Sequence, residues 1–252
     1  AFVFRMRLMP RHPKADRVEK NGRTICLYDN AGEHFLPGAQ TANSPGTRHL
    51  SLSKALMFIF DPTQHTKFRK ACRGNTVDPQ VSQDLVSFRQ DHILSEATRR
   101  IRAELGLAQD ERDNRPLIVV LSKYDAWSSL VGGKELKREW VIKELGHGIH
   151  ALNVPHLKAL SERFRKVLNE LAPEIVATSE AFSEDVIYIP VSALGCSPRE
   201  LPGAEPTGDP PRVPLGVLPS EIKPMWAEIP LLYAIHRTMP GMIGSVRPRN
   251  TF

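Results

Sequence analysis

A chain of 252 residues that is 41% hydrophobic and 25% charged can bury one ordinary core with room for insertions, and its composition excludes a disordered or fibrous protein. The formal charge of +6 and pI near 9.3 would suit an acidic partner. Lys and Arg are nevertheless spread over residues 5–23, 99–115 and 134–166 with no aromatic or zinc-finger pattern beside them, so solvated helix faces are favoured over a nucleic-acid groove.

No apolar run approaches the ~20 residues that a bilayer span requires, so no membrane span is expected. Cys26, Cys72 and Cys196 are far apart and form no C-x-x-C pair, which fits a reducing, cytoplasmic setting. The chain opens at Ala1 with neither an initiating Met nor a charged-then-apolar leader, and it reads as a piece of a longer protein. Phe2, Phe4, Met6 and Leu8 alternate with Val3, Arg5 and Arg7, the pattern of a half-buried strand. Asn21-Gly22 predicts a tight turn, and Thr24-Ile25-Cys26-Leu27-Tyr28 a second strand paired antiparallel with the first.

Apolar runs at 55–60, 117–121 and 186–191 lack alternation, as strands buried on both faces do. Helical periodicity covers 85–105, 134–145 and 156–171, the last with Leu157, Leu160, Phe164, Val167 and Leu171 on one stripe. Residues 197–224 are rich in Pro and Gly, a long surface loop that leads into a final amphipathic helix near 225–236. Residues 239–252 read as a tail or linker behind a domain at 1–238. Strands alternating with helices predict an α/β fold, a mostly parallel sheet with helices on both faces and one antiparallel edge hairpin.

In open α/β sheets ligands bind at the carboxyl ends of strands, and three predicted strands end in polar clusters. They are Tyr28-Asp29-Asn30-Ala31-Gly32-Glu33, Leu121-Ser122-Lys123-Tyr124-Asp125 and Val191-Ser192-Ala193-Leu194-Gly195. In that order they resemble the third, fourth and fifth signature motifs of the Ras-like and translation-factor GTPases: D-x-x-G, [N/T]-K-x-D and S-A-x. Each alone is weak; the order, each behind its own apolar strand, carries the resemblance.

The resemblance implies a three-layer P-loop NTPase fold that binds GTP or GDP with Mg2+ and hydrolyses GTP as a molecular switch. By it, Asp29 holds the magnesium through water and the Gly32 amide meets the γ-phosphate. Asp125 accepts the N1–H and exocyclic amine of guanine, a bidentate charge-assisted pair that adenine cannot make. Lys123 lays its methylene stem over the purine, and Ser192 and Ala193 form the fifth motif, the Ala193 N–H aimed at O6.

Two positions depart from the family pattern. Ser122 stands where Asn or Thr is preferred, which shortens the side chain that ties this loop to the phosphate loop. Glu33 stands where Ras-like members use Gln to orient the attacking water, and a carboxylate there repels the γ-phosphate unless protonated or turned away. His34 is a second candidate, since translation-factor GTPases use a His at that place; the alternative is an exposed loop residue.

A phosphate-binding loop, G-x-x-x-x-G-K-[S/T], is absent from the sequence. Gly132-Gly133-Lys134 fails because Ser128 stands where the first Gly belongs and Glu135 where the hydroxyl belongs; it reads as a loop opening a helix. In the family the missing loop follows the first strand, ahead of the hairpin. The expectation is N-terminal truncation, with the central first strand missing between the strands at 24–28 and 55–60, and no hydrolysis by these residues alone.

Longer spacings than in a minimal Ras-like domain leave room for an extra segment near 63–83 and two extra helices after Asp125. Leu27-Tyr28-Asp29-Asn30-Ala31-Gly32-Glu33-His34-Phe35 and Phe58-Ile59-Phe60-Asp61-Pro62-Thr63-Gln64, with Trp226 before Ile229-Pro230-Leu231-Leu232-Tyr233, look like the bacterial double-GTPase family, which is associated with conflict and defence systems. The rival reading, favoured by Glu33 and Ser122, is a degenerate GTPase-like interaction or scaffold module. Either reading expects a protein partner or further domains of the same chain. Asp61 reads as a cap rather than a catalytic group, and Trp127, Trp140 and Trp226 as packing anchors.

Overall fold

The computed structural model describes residues 1–10, 12, 22–30, 32–35, 45–76, 78–82, 89–133, 135–201, 203, 205 and 213–246. As the alternation predicts, β1 (Phe2–Met6) pairs antiparallel with β2 (Arg23–Leu27), Phe2 opposite Leu27 and Met6 opposite Arg23. Asn21 of the predicted turn lies outside the described residues. The hairpin is covered only in part: Phe2, Val3 and Phe4 are 61%, 66% and 52% exposed, while Met6, Leu8, Ile25 and Leu27 are partly buried. β1 and β2 join no third strand among the described residues, and a two-stranded hairpin buries little surface by itself.

In chain order there follow α1 (Pro45–Leu52), β3 (Leu56–Phe60), α2 (Thr66–Cys72), α3 (Pro79–Ser82), α4 (Gln90–Leu105), β4 (Asp113–Leu121) and α5 (Tyr124–Trp127). Then come β5 (Ile142–Glu144), β6 (His150–Leu152), α6 (Val154–Leu171), α7 (Pro173–Phe182) and β7 (Ser183–Pro190). The last are β8 (Arg199–Glu200), β9 (Leu215–Gly216), α8 (Ile229–Thr238) and β10 (Gly244–Ser245). The fold is α/β: β3, β4 and β7 form a parallel sheet in the order β3-β4-β7, with helices packed around it.

The register aligns Phe60 with Leu121 and Leu121 with Pro190, so the three carboxyl ends finish level. Ile118, Val119, Leu121, Ile187 and Ile189 are buried, as an unalternating apolar run requires in a sheet covered on both faces. β3 differs. Leu56 and Phe60 are buried, but Met57 and Ile59 are 41% and 68% exposed. The Ser122 N–H donates to the Phe60 carbonyl at 2.9 Å, so residues 56, 58 and 60 turn their backbone groups to β4. Those of Met57 and Ile59 face the other edge, which pairs with no strand among the described residues. A cavity of about 390 Å³ lies between Arg23 and Thr24 of β2 and Lys54 just ahead of β3, with residues 238–242 in its wall.

The helix predicted at 134–145 does not form. A 3-10 turn (Arg138–Trp140) leads straight into β5, which pairs antiparallel with β6, and β10 joins β6 in parallel. Ile142 lies opposite Leu152, both buried, and the Leu145 N–H donates to the Ile149 carbonyl at 2.8 Å across a turn in which Gly146 and Gly148 take positive φ (95° and 73°), so the apolar residues of this segment are buried through a hairpin instead of a helix face. The predicted helix at 156–171 is α6, capped by the Asn153 side chain accepting from the His156 N–H, with Leu157, Leu160, Phe164 and Leu168 buried. The predicted helix at 85–105 is described from Gln90, and the final helix runs over Ile229–Thr238. Of the stretch read as a tail, Met242 is buried and Gly244–Ser245 is strand. Among the described residues no helix is long and apolar enough to cross a membrane.

Candidate functional site

The level strand ends bring Asp61, the loop from Ser122 to Asp125, and the loop after β7 to one edge of the sheet. Beneath them lies an aromatic cluster. The Trp127 ring meets Phe68, Tyr124 and Phe164 edge-on at centroid distances of 6.1, 5.0 and 6.2 Å, and its indole N–H donates to the Ser122 carbonyl at 2.8 Å. Trp127 and Trp226 are the buried anchors the sequence suggests, whereas Trp140 is only partly buried.

Lys123 sits at φ 52°, a left-handed conformation that costs a non-glycine residue energy. It is held there because the Tyr124 N–H donates to the Val191 carbonyl at 3.0 Å. The Lys123 ammonium lies 2.8 Å from Asp61 Oδ2 and 3.3 Å from Thr63 Oγ1. Asp61 is the cap expected of it: its Oδ1 accepts the Thr63 N–H at 2.9 Å. Gln90, at the start of α4, clamps its backbone in both directions, accepting the Asp61 N–H at 2.8 Å and donating to the Asp61 carbonyl at 2.9 Å. The ion pair to Lys123 and the Gln90 clamp have no local sequence signal; only the fold brings these segments together.

Asp125, in the first turn of α5, accepts the Ser192 hydroxyl on Oδ1 at 2.5 Å and the Ser197 hydroxyl on Oδ2 at 3.1 Å. A carboxylate has about four acceptor positions, so each oxygen keeps one for a ligand. Ser192 is buried, its Oγ accepts the Gly195 N–H at 2.7 Å, and its backbone exchanges hydrogen bonds with Met225 at 2.9 and 2.8 Å. Gly195 is required: at φ 76° its missing Cβ would stand 1.9 Å from the Lys223 carbonyl oxygen. Ser122 turns its hydroxyl to the Phe60 carbonyl at 3.1 Å, and Ala193 is exposed. A cavity of about 460 Å³ opens at Asp125, lined also by residues 74–76 and 195–197.

The structure thus gathers Ser122, Lys123, Asp125, Ser192 and Ala193 at one edge, with Asp125 in the cavity wall. Asp29, Gly32 and His34 follow β2, and Gly32 lies against the first turn of α4, where a Cβ would stand 3.1 Å from the Ile93 side chain, one turn from the Gln90 that clamps Asp61. Asp29 is exposed. Residues Gly32–Phe35 form a 3-10 turn against α4: Phe35 is buried beneath the Arg100 guanidinium, 5.3 Å from its ring centroid, and His34 is exposed. Glu33 lies in the same turn, and its side chain is outside the described residues. Among the described residues no group of three or more His, Cys, Asp or Glu stands together as a metal site. The Gly132-Gly133 turn opens no helix, and Lys134 lies outside the described residues.

Sequence reasoning missed Ser197 and residues 74–76 of the cavity wall. Ser and Asn in loops are common, and nothing in their spacing ties them to Asp125. Neither a family model, nor a curated protein, nor a solved structure matches the chain.

Proposed function

We propose that the chain carries the guanine-recognising part of a P-loop GTPase. The observation behind this reading is Asp125, a carboxylate pinned by two serine hydroxyls at 2.5 and 3.1 Å and set in the wall of a cavity of about 460 Å³. Such a preorganised double acceptor suits the N1–H and exocyclic amine of guanine and rejects adenine, which lacks that donor pair. The loop after β7 would bring the Ala193 N–H to O6, and the Lys123 stem would cover one face of the base.

The same reading takes the fold as a P-loop NTPase whose central strand is not among those present. Two features support it: the free edge of β3 with Met57 and Ile59 exposed, and a hairpin that pairs with nothing else among the described residues. The cavity between Arg23, Thr24 and Lys54 lies between the two edges such a strand would join. Hydrolysis of GTP as a switch, with Glu33 or His34 positioning the water, then belongs to the intact protein. So do the finer assignment to the double-GTPase family, a role in a bacterial conflict system, and a cytoplasmic setting. Magnesium is implied too, but Asp29 is exposed and belongs to no group of three or more His, Cys, Asp or Glu among the described residues. The described residues do not by themselves make that site, and no step is derived through the ion.

A second reading, a degenerate GTPase-like scaffold, draws on Ser122 turned to Phe60 and Lys123 drawn to Asp61. Nucleosides separate the two. Titrated onto the 252-residue chain by ligand-observed NMR, guanosine is expected to bind about tenfold more tightly than adenosine, a difference of ~1.4 kcal/mol. Asp125→Asn, whose amide can donate to a C2 carbonyl, moves the preference to xanthosine. GDP gains little over guanosine, because no phosphate loop is present. Equal binding of guanosine and adenosine would overturn the guanine reading and leave the scaffold.

A further inference from the structure

Guanine presents donors at N1 and N2 and acceptors at O6 and N7. Asp125 supplies acceptors alone, so a site for the whole base also needs donors. Several donors near Asp125 are spent. The Ser122 hydroxyl goes to the Phe60 carbonyl at 3.1 Å, the Gly195 N–H to Ser192 Oγ at 2.7 Å, and the Ser192 and Ser197 hydroxyls to Asp125 itself. The Ala193 N–H has no acceptor among the described residues, and the reading above gives it O6. The Cys196 and Ser197 N–H groups, in the cavity wall, have no acceptor among the described residues either.

The remaining wall of the cavity comes from the turn that follows α2. Its Asn75 is exposed and lines the cavity with Asp125. The Asn75 backbone N–H is tied to the Cys72 carbonyl at 3.0 Å, which anchors the turn. Thr76 Oγ1 accepts the Asp78 N–H at 3.2 Å, anchoring it from the other side. The Asn75 side-chain amide has no partner among the described residues, so a donor stands ready on a fixed backbone.

We propose that Asn75 is a purine-binding residue of this cavity, its side-chain amide donating to N7, an acceptor that guanine and adenine share. The proposal rests on the guanine reading.

The test pairs a ligand change with a residue change. Guanosine and 7-deazaguanosine, which differ at N7 alone, are titrated onto the 252-residue chain and onto Asn75→Ala, with guanosine and xanthosine on Asp125→Asn as the companion. The chain is expected to favour guanosine over 7-deazaguanosine about fivefold, the worth of one neutral hydrogen bond. Asn75→Ala should bind both equally, at the weaker level, with an unchanged melting temperature because Asn75 is exposed. If the fivefold preference is absent from the chain or survives in Asn75→Ala, while Asp125→Asn still turns to xanthosine, Asn75 has no such role and the guanine reading stands. If guanosine fails to bind and Asp125→Asn changes nothing, both fall together.

Discussion

The loop after β2 and the loops after β4 and β7 have sequences of one kind, a polar cluster behind an apolar strand, and very different structures. β4 is paired on both sides, its end is level with those of its neighbours, and the loops that leave β4 and β7 are cross-tied. Asp125 is held by Ser192 and Ser197, Ser192 by Met225, and the Trp127 indole by the Ser122 carbonyl. β2 has one partner, and the strands of that hairpin are largely exposed. Asp29 accordingly ends an exposed strand. A polar cluster becomes a preorganised site only where the sheet beneath it fixes several loops against one another, and here the loops after β4 and β7 have that support.

The sharpest break of this comparison is a pair of glycine substitutions. Gly195→Val places a side chain on a backbone at φ 76° and within 1.9 Å of a carbonyl oxygen, so a loss of about 3 kcal/mol or more is expected, together with loss of guanosine binding. At Gly32 the added Cβ meets only the flexible end of Ile93 at 3.1 Å, and Gly32→Ala should cost under about 1 kcal/mol. Urea unfolding of both variants checks the contrast; equal costs would mean that the two loops are equally supported. Phenylalanines make the same comparison below the loops. Phe60 is fully buried and Phe4 is 52% exposed, so Phe60→Ala should cost about 3–5 kcal/mol and Phe4→Ser less than about 0.5 kcal/mol. A large cost for Phe4→Ser would show that the hairpin is buried in solution.

How much of this could be read from the residues follows the same division. The buried strands β4 and β7 and the stripe of α6 announce themselves, because burial on both faces or along one stripe writes a periodic signal into the chain. The unalternating run at β3 suggested the same and misled, since Met57 and Ile59 are apolar yet uncovered; a sequence records what a face is made of, not whether anything lies on it. α7 was passed over because Ile175, Val176 and Phe182 are buried on a short helix too apolar to show a polar side. At the site, Asp125 and Lys123 carry a motif, whereas Asp61, Gln90, Ser197 and Asn75 meet them only through the crossovers of the sheet.

Arg115 tests how the sheet grips its surroundings. Its guanidinium donates to the carbonyls of Leu50, Ser51 and Ser53 at 2.8, 3.0 and 2.8 Å, beyond and within the last turn of α1, and to the buried Asp113. Arg115→Ala should cost about 2–3 kcal/mol, since it leaves Asp113 buried without its partner, and hydrogen exchange should rise at the end of α1 before it rises in β4. Uniform exchange across both elements would show that Arg115 does not pin the helix.

The smallest effect is the pH dependence of that cost. Burial pushes the Asp113 carboxyl up from its ordinary value of 3.8, but the Arg115 side-chain and backbone hydrogen bonds, with the charges of Arg115 and Arg102, outweigh it and hold the carboxyl below that value. A depressed folded pKa means that the unfolded chain binds the proton more readily. The stabilisation is therefore complete above the ordinary value and is lost as pH falls through the folded one. In Arg115→Ala the burial persists with only the residue-115 N–H and the Arg102 charge against it, so less of the depression remains and the variant loses less on acidification. The stability gap between the two proteins, measured by urea unfolding at pH 7, 5 and 3, should narrow on acidification. A gap that stays constant would mean that Arg115 acts through the α1 carbonyls alone, and that Asp113 is not part of what it holds.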